Sequence, residues 1–277
     1  MERQRPPLLI QDVLAWVADQ DLDVFTLDDL VDQFHVPREI ARQVGWRMAA
    51  NNQAHRVKPG VYLPLGANYW KRPGTPLVAN WHLVAKHLAA PSPYFLAYYT
   101  AMELNRMIQH PLATVIVATP ERKGDVDVGP VAIRFVRLPQ AQFRFGHQPM
   151  QLQPGKAVEV ADLERTFLDA VDRTDLCGGI EEVVRGFARR HDELNRERLL
   201  RYVVELNKPV TTKRLGFLLE IVGHGDPRLI RDLEARATRL KTYTLLVPGQ
   251  DEVRERNKRW ELDVNADPDR LIEAATT

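Results

Sequence analysis

The sequence predicts an α+β protein in which a small helical module closed by a β-hairpin precedes a larger mixed α/β domain. Apolar residues recur at helical spacing in three successive segments before residue 52. Two short β-prone segments around a glycine follow directly, over residues 55–63. From residue 77 onward, β-branched runs alternate with helical periodicities. These three observations predict the fold class and place its first boundary near residue 65.

The composition is typical of a folded globular protein. The 277 residues suffice for two or three small domains, and 44% of them are hydrophobic and 27% charged. No apolar run is long enough to span a membrane and the start lacks the features of a signal peptide, which predicts a cytoplasmic protein without a membrane partner. The single cysteine, Cys177, excludes an internal disulfide and a cysteine-based zinc cluster.

Three helices are predicted in the N-terminal module. The first covers residues 8–20, where apolar side chains repeat along one face. Thr26 can cap the second helix, with Asp29 as its capping-box partner, and this helix ends near His35. The third runs from Pro37 to about Asn52, since proline suits the first turn of a helix. The tight connection between the second and third helices matches the helix-turn-helix pattern.

The outer face of the third helix carries polar and aromatic side chains. A helical wheel turns Glu39, Arg42, Gln43 and Trp46 away from the core, with Arg38 and Arg47 at the margins. Arginine and glutamine are suited to the edges of guanine and adenine in the major groove of DNA. This pattern predicts that the third helix is the recognition helix of a winged helix-turn-helix.

The wing of that module is the hairpin predicted around Lys58-Pro59-Gly60. Arg56 and Lys58 lie near its tip and are placed to neutralise phosphate. Residues 35–65 carry five Lys/Arg against Glu39 alone, although residues 1–65 as a whole have nine acids and seven bases. The predicted DNA-binding residues are Arg38, Arg42, Gln43, Arg47, Arg56 and Lys58.

Residues 66–76 are rich in turn formers and are predicted to link the winged domain, 1–65, to a C-terminal domain, 77–277. In that domain we predict a β-rich hairpin over 112–138 with a charged turn at 121–127, and a strand near 157–160. Apolar periodicity further predicts helices at 81–88, 95–107, 162–172, 180–190, 196–206, 212–222 and 227–239, with strands at 243–247 and 259–264.

Two short motifs in the predicted 112–138 hairpin match parts of known metal sites. Glu121-Arg122-Lys123 matches the E-x-K element of metal-dependent nucleases, and Asp125-Val126-Asp127 matches the paired carboxylates of nucleotidyl transfer. The upstream residues that either site requires are absent, which favours a solvated turn. No phosphate-binding or nucleophile motif occurs elsewhere, so no active site, metal or cofactor is predicted.

The order of four segments resembles the AbiEi family, antitoxins of type IV toxin–antitoxin systems associated with abortive phage infection. The segments are Gly60-Val61-Tyr62, the tyrosine-rich 94–104, Ala161-Asp162-Leu163-Glu164-Arg165-Thr166-Phe167-Leu168-Asp169, and Gly178-Gly179-Ile180-Glu181-Glu182-Val183. The resemblance covers residues 8–225 and continues weakly to 259–262. Each motif alone is unspecific, and their order carries the resemblance.

Membership of this family implies a winged domain that binds inverted repeats in the promoter of its own operon and represses it. It also implies a C-terminal domain that counters a nucleotidyltransferase-like toxin, without a need for a stable complex. The polar residues of 162–169 match the family's Arg-Thr-x-x-Asp stretch and are interpreted as structural.

Two other classes of function remain open from the sequence. One is a metal-dependent nucleic-acid-processing enzyme, which would bind a divalent metal near Glu121, Asp125 and Asp127. The other is a winged-helix adaptor that binds proteins, which would have no salt-dependent affinity for DNA. The leading hypothesis is an antitoxin and autorepressor that is not an enzyme.

Overall fold

A computed structural model describes residues 8–65, 80–109, 113–128, 131–223, 226–237, 242–250 and 252–276, and it confirms a mixed α+β fold. The chain divides into two compact units, Met1–Ala90 with Gly124–Ile133, and Pro91–Lys123 with Arg134–Thr277. The predicted linker 66–76 lies outside the described residues. The predicted domains 1–65 and 77–277 therefore stay predictions.

The first unit begins with three helices and a three-stranded antiparallel sheet of order β1-β3-β2. Its elements up to residue 90 are α1 (Ile10–Asp19), β1 (Phe25–Thr26), α2 (Leu27–Phe34), α3 (Arg38–Ala50), β2 (Ala54–Lys58), β3 (Val61–Pro64) and α4 (Trp81–Ala89). The three helices and the hairpin lie where the sequence predicts them, and β1 is an additional strand that pairs with β3.

Local interactions set the ends of these helices. The Thr26 hydroxyl accepts a hydrogen bond from the backbone N–H of Asp29 at 3.1 Å, and the Asp29 carboxylate accepts one from the backbone N–H of Thr26 at 2.7 Å. This confirms the predicted capping box. His35 ends α2 in the left-handed conformation, with a φ of +50°, and Pro37 is the N-cap of α3. The hydrophobic core between the three helices and the sheet includes Val13, Val17, Phe25, Leu30, Ala41, Val44, Met48 and Tyr62.

The second unit combines a mixed sheet with a set of helices. In chain order, the strands and helices from residue 91 onward are β4 (Phe95–Leu96), α5 (Tyr98–Leu104), β5 (Thr114–Thr119), β6 (Val126–Val128), β7 (Val131–Arg137), α6 (Gln140–Phe143), β8 (His147–Gln153), β9 (Lys156–Ala161), α7 (Leu163–Asp172), α8 (Ile180–Arg190), α9 (Arg196–Leu206), α10 (Pro209–Ile221), α11 (Pro227–Ala237), β10 (Thr244–Leu245), β11 (Glu255–Asn257), β12 (Leu262–Val264) and α12 (Pro268–Thr276). Of these, β6 and the first residues of β7 belong to the first unit. Strands follow in the order β7, β5, β4, β9, β8, and a smaller sheet has the order β10-β12-β11.

Two predictions for this region are wrong in detail. The predicted helix 95–107 is interrupted, because Phe95 and Leu96 form β4, which pairs with β5 on one side and β9 on the other. Tyr98 then starts α5 with a φ of +53°. The predicted charged turn 121–127 also contains the start of a strand, since Val126–Val128 pairs antiparallel with the first residues of β7. In β4, pairing with strands distant in sequence overrides the local preference, whereas β6 pairs with the strand that directly follows it.

Candidate nucleic-acid interface

Close packing of α3 on the hairpin forms the candidate site. Gly45 faces the ring of Tyr62, and a Cβ atom at Gly45 would lie 2.7 Å from Cζ of that ring. Tyr62 is held in turn by Phe25, whose ring stacks on it at a centroid distance of 5.5 Å. The missing side chain of Gly45 therefore lets α3 approach β3 closely. An isolated glycine inside a predicted helix was the available signal for this contact.

The hairpin carries an irregularity that separates its two cations. Arg56 lies opposite Tyr62 and Lys58 opposite Val61, so the register shifts by one residue between them. Such a bulge changes the direction of side chains that regular alternation would place on one face. Arg56 is exposed beside α3, whereas the Lys58 ammonium donates a hydrogen bond to the carbonyl oxygen of Leu88 at 3.4 Å.

A groove of about 720 Å³ opens between α3 and the hairpin. It is lined by Leu27, Arg38, Arg42, Gln43, Trp46, Arg47, Arg56, Pro59, Gly60 and Tyr62. Five of the six residues predicted to bind DNA thus meet in one groove, and Lys58 is outside it. The predicted site did not include the apolar lining residues Leu27, Pro59 and Tyr62, and Trp46 was placed on the outer face of the helix without a role in the site.

The lining of this groove is strongly positive. Four of its residues are arginines and none is an acid. The acids of the preceding segment serve elsewhere: Asp29 caps α2, and Asp28 forms an ion pair with Arg38. The lining residues themselves therefore carry four positive charges, and the carboxylates of Asp28 and Glu39 lie beside the groove as ion-pair partners of Arg38 and Arg42.

Two of the four arginines have exposed carboxylate partners. Arg42 lies 2.6 Å from an oxygen of Glu39, and this hydrogen bond and charge raise the pKa of Arg42. The Arg38–Asp28 pair is equally exposed. Exposed ion pairs contribute only about 0–1 kcal/mol. Both guanidinium groups can therefore be redirected to an anionic ligand at small cost.

The carboxylates considered for metal binding lie outside this groove. Glu121 accepts a hydrogen bond from the Ser92 hydroxyl. Within the part of the chain that the structure describes, no group of three or more His, Cys, Asp or Glu side chains is arranged to hold a metal ion. None of the described helices has the length and apolar character of a membrane-spanning helix.

The segment 162–169 forms a buried polar cluster in the second unit. Asp162 caps α7, accepting a hydrogen bond from the backbone N–H of Arg165 at 2.9 Å and one from the Tyr202 hydroxyl at 2.7 Å. Glu164 is 2% exposed and accepts a hydrogen bond from the backbone N–H of Asn195 at 2.7 Å. These side chains join α7 to α9, which supports their interpretation as structural.

Comparison with known proteins identifies a shared fold. No family model and no curated protein matches the chain. Among solved structures, it is similar to the crystal structure of the RV2827C protein from Mycobacterium tuberculosis, with a TM-score of 0.66 and 14% sequence identity. The likeness covers 94% of this chain and 92% of that chain. The chain therefore has the fold of that mycobacterial protein.

Proposed function

We propose that the N-terminal unit contains a winged helix-turn-helix that binds duplex DNA through the groove between α3 and the β2–β3 hairpin. The observation that carries this proposal is the lining, in which four arginines and Gln43 converge without an acid. An arginine-rich concave surface attracts the phosphate backbone, and α3 exposes side chains that can reach base edges. The tight connection between α2 and α3, followed by the β2–β3 hairpin, supports α3 as the recognition helix.

The proposed biological role is that of an AbiEi-type antitoxin and autorepressor. DNA binding would target inverted repeats in the promoter of the operon, and the rest of the chain would counter a nucleotidyltransferase-like toxin. Support for the toxin-directed part comes from the sequence resemblance. Co-expression with a nucleotidyltransferase-like toxin encoded in the same operon tests it: growth should be restored by this chain, and continued growth arrest would contradict the antitoxin role.

The first prediction concerns sequence recognition by Arg42. Replacing Arg42 by alanine should reduce the preference for the chain's own upstream DNA over random DNA by about 1–3 kcal/mol, the value of one bidentate contact to a base. Competition titrations with both duplexes measure this. Glu39→Gln is the matched control, because it also breaks the Arg42–Glu39 ion pair but keeps the guanidinium group. An unchanged preference in Arg42→Ala would rule out base reading by this side chain.

The second prediction separates the two cations of the hairpin. Arg56→Ala should weaken binding to all sequences alike and lower the slope of log affinity against log salt by about one unit, because one phosphate contact is lost. The sequence alone predicts the same for Lys58. Since the Lys58 ammonium donates to the Leu88 carbonyl, we expect Lys58→Ala to change the slope less. Equal slopes for Arg56→Ala and the unchanged protein would contradict a phosphate contact.

A further inference from the structure

The side chain of Trp46 is exposed and is not part of the hydrophobic core of the first unit. Trp46 is 66% exposed, which is the highest exposed fraction among the exposed large hydrophobic residues in the part of the chain that the structure describes. The neighbouring Val44 and Met48 are buried in the core, and the core cluster does not include Trp46. Single exposed apolar side chains are common on proteins. Trp46 differs because it lines the arginine-rich groove.

The indole lies beside the two side chains best suited to reading bases. Trp46 follows Arg42 by four residues and Gln43 by three, and residues at these spacings are neighbours on one helix face. All three residues are exposed and line the groove. A ligand that engages Arg42 and Gln43 therefore meets an apolar surface at the same time.

We infer, on the basis of the proposed DNA binding, that Trp46 selects A·T base pairs by contacting the 5-methyl group of thymine. In the major groove, the thymine methyl is the apolar feature that distinguishes base pairs, and apolar side chains recognise it. Gln43 is suited to adenine and Trp46 to thymine, so one turn of α3 carries both halves of the recognition of A·T pairs. Trp46 is thus a specificity-determining residue of the groove.

Replacing thymine by uracil tests this contact, because it removes the methyl group and keeps base pairing. Two duplexes of the chain's own upstream DNA are prepared, one with thymidine and one with deoxyuridine at every such position. The full chain should bind the thymidine duplex about fourfold more tightly, which corresponds to burial of one methyl group. Trp46→Ala should bind both duplexes equally, and Trp46→Phe should retain part of the difference.

Leu9→Ala is the control, since Leu9 is another exposed apolar residue of this unit and lies outside the groove lining. It should show the same fourfold difference as the unchanged chain. If the unchanged chain prefers its upstream DNA over random DNA but binds both duplexes equally, the thymine contact is wrong and the DNA-binding proposal stands. If the unchanged chain does not prefer its upstream DNA over random DNA, the thymine contact and the DNA-binding proposal are both wrong. Tighter binding to the single strand than to the duplex would also overturn the methyl contact, in favour of stacking on an unpaired base.

Discussion

Arg165→Ala is expected to destabilise the protein by about 3–5 kcal/mol, as is typical when one partner of a buried ion pair is removed. Arg165 is 1% exposed, and its Nε donates to Oδ1 of Asp169 at 2.8 Å. One of its terminal nitrogens also donates to the carbonyl oxygens of Gln142 and Phe145, at 2.7 and 3.1 Å. The alanine variant leaves a buried carboxylate and two carbonyl oxygens without this donor.

The surroundings of Asp169 explain why Arg165→Ala should lose so much stability. Burial raises the pKa of Asp169, against the lowering effect of Arg165. The second carboxylate oxygen, Oδ2, is buried and accepts no hydrogen bond from the described residues. Without Arg165, the ionised carboxylate would have to be protonated or hydrated before the chain could fold, because an isolated charge is costly in a dry interior.

Urea titrations of the full chain measure this effect. The double variant Arg165→Met/Asp169→Leu removes both charges and should cost less than the sum of the two single variants, because no lone charge remains. Lys208→Ala, which breaks the more exposed Lys208–Asp172 pair, is a control with a smaller expected loss. A loss below about 1 kcal/mol in Arg165→Ala would contradict a large contribution of the buried Arg165–Asp169 pair to the free energy of unfolding.

The second large effect is expected where α10 packs on Trp260. A Cβ atom at Gly216 would overlap the ring of Trp260, and Trp260 is 1% exposed. Trp260→Ala should cost about 3–5 kcal/mol through the cavity it leaves. Gly216→Ala should cost about 1–3 kcal/mol through overpacking.

In combination with Trp260→Ala, Gly216→Ala should stabilise the protein instead of destabilising it. In the Trp260→Ala background the clash is gone, so Gly216→Ala should stabilise the helix by up to about 1 kcal/mol, the difference in helix propensity between alanine and glycine. A double-mutant cycle by denaturant unfolding measures this. Additive losses would mean that the Gly216 backbone does not rest against the Trp260 ring.

Several elements were predictable because their signals are local. Asn195 caps α9, with its side-chain oxygen accepting from the backbone N–H of Arg198 at 3.0 Å, and α8 has the predicted bounds Ile180–Arg190. In the sequence itself, glycine directly precedes α8 and the capping residue Asn195 directly precedes α9. In contrast, β8 was missed because His147–Gln153 is rich in glutamine and has little β propensity. It exists as the antiparallel partner of β9.

The sequence by itself determined the first three helices and the β2–β3 hairpin and which side chains α3 exposes, since periodicity and capping residues act over a few residues. Only the tertiary structure decided that Trp46 joins the arginines in one groove and that Lys58 is outside it. The physical reason is that these placements depend on the contact of Gly45 with Tyr62 and on a register shift in the hairpin. The first arises from packing of a helix on a strand and the second from the pairing of two strands, and local patterns of single segments encode neither.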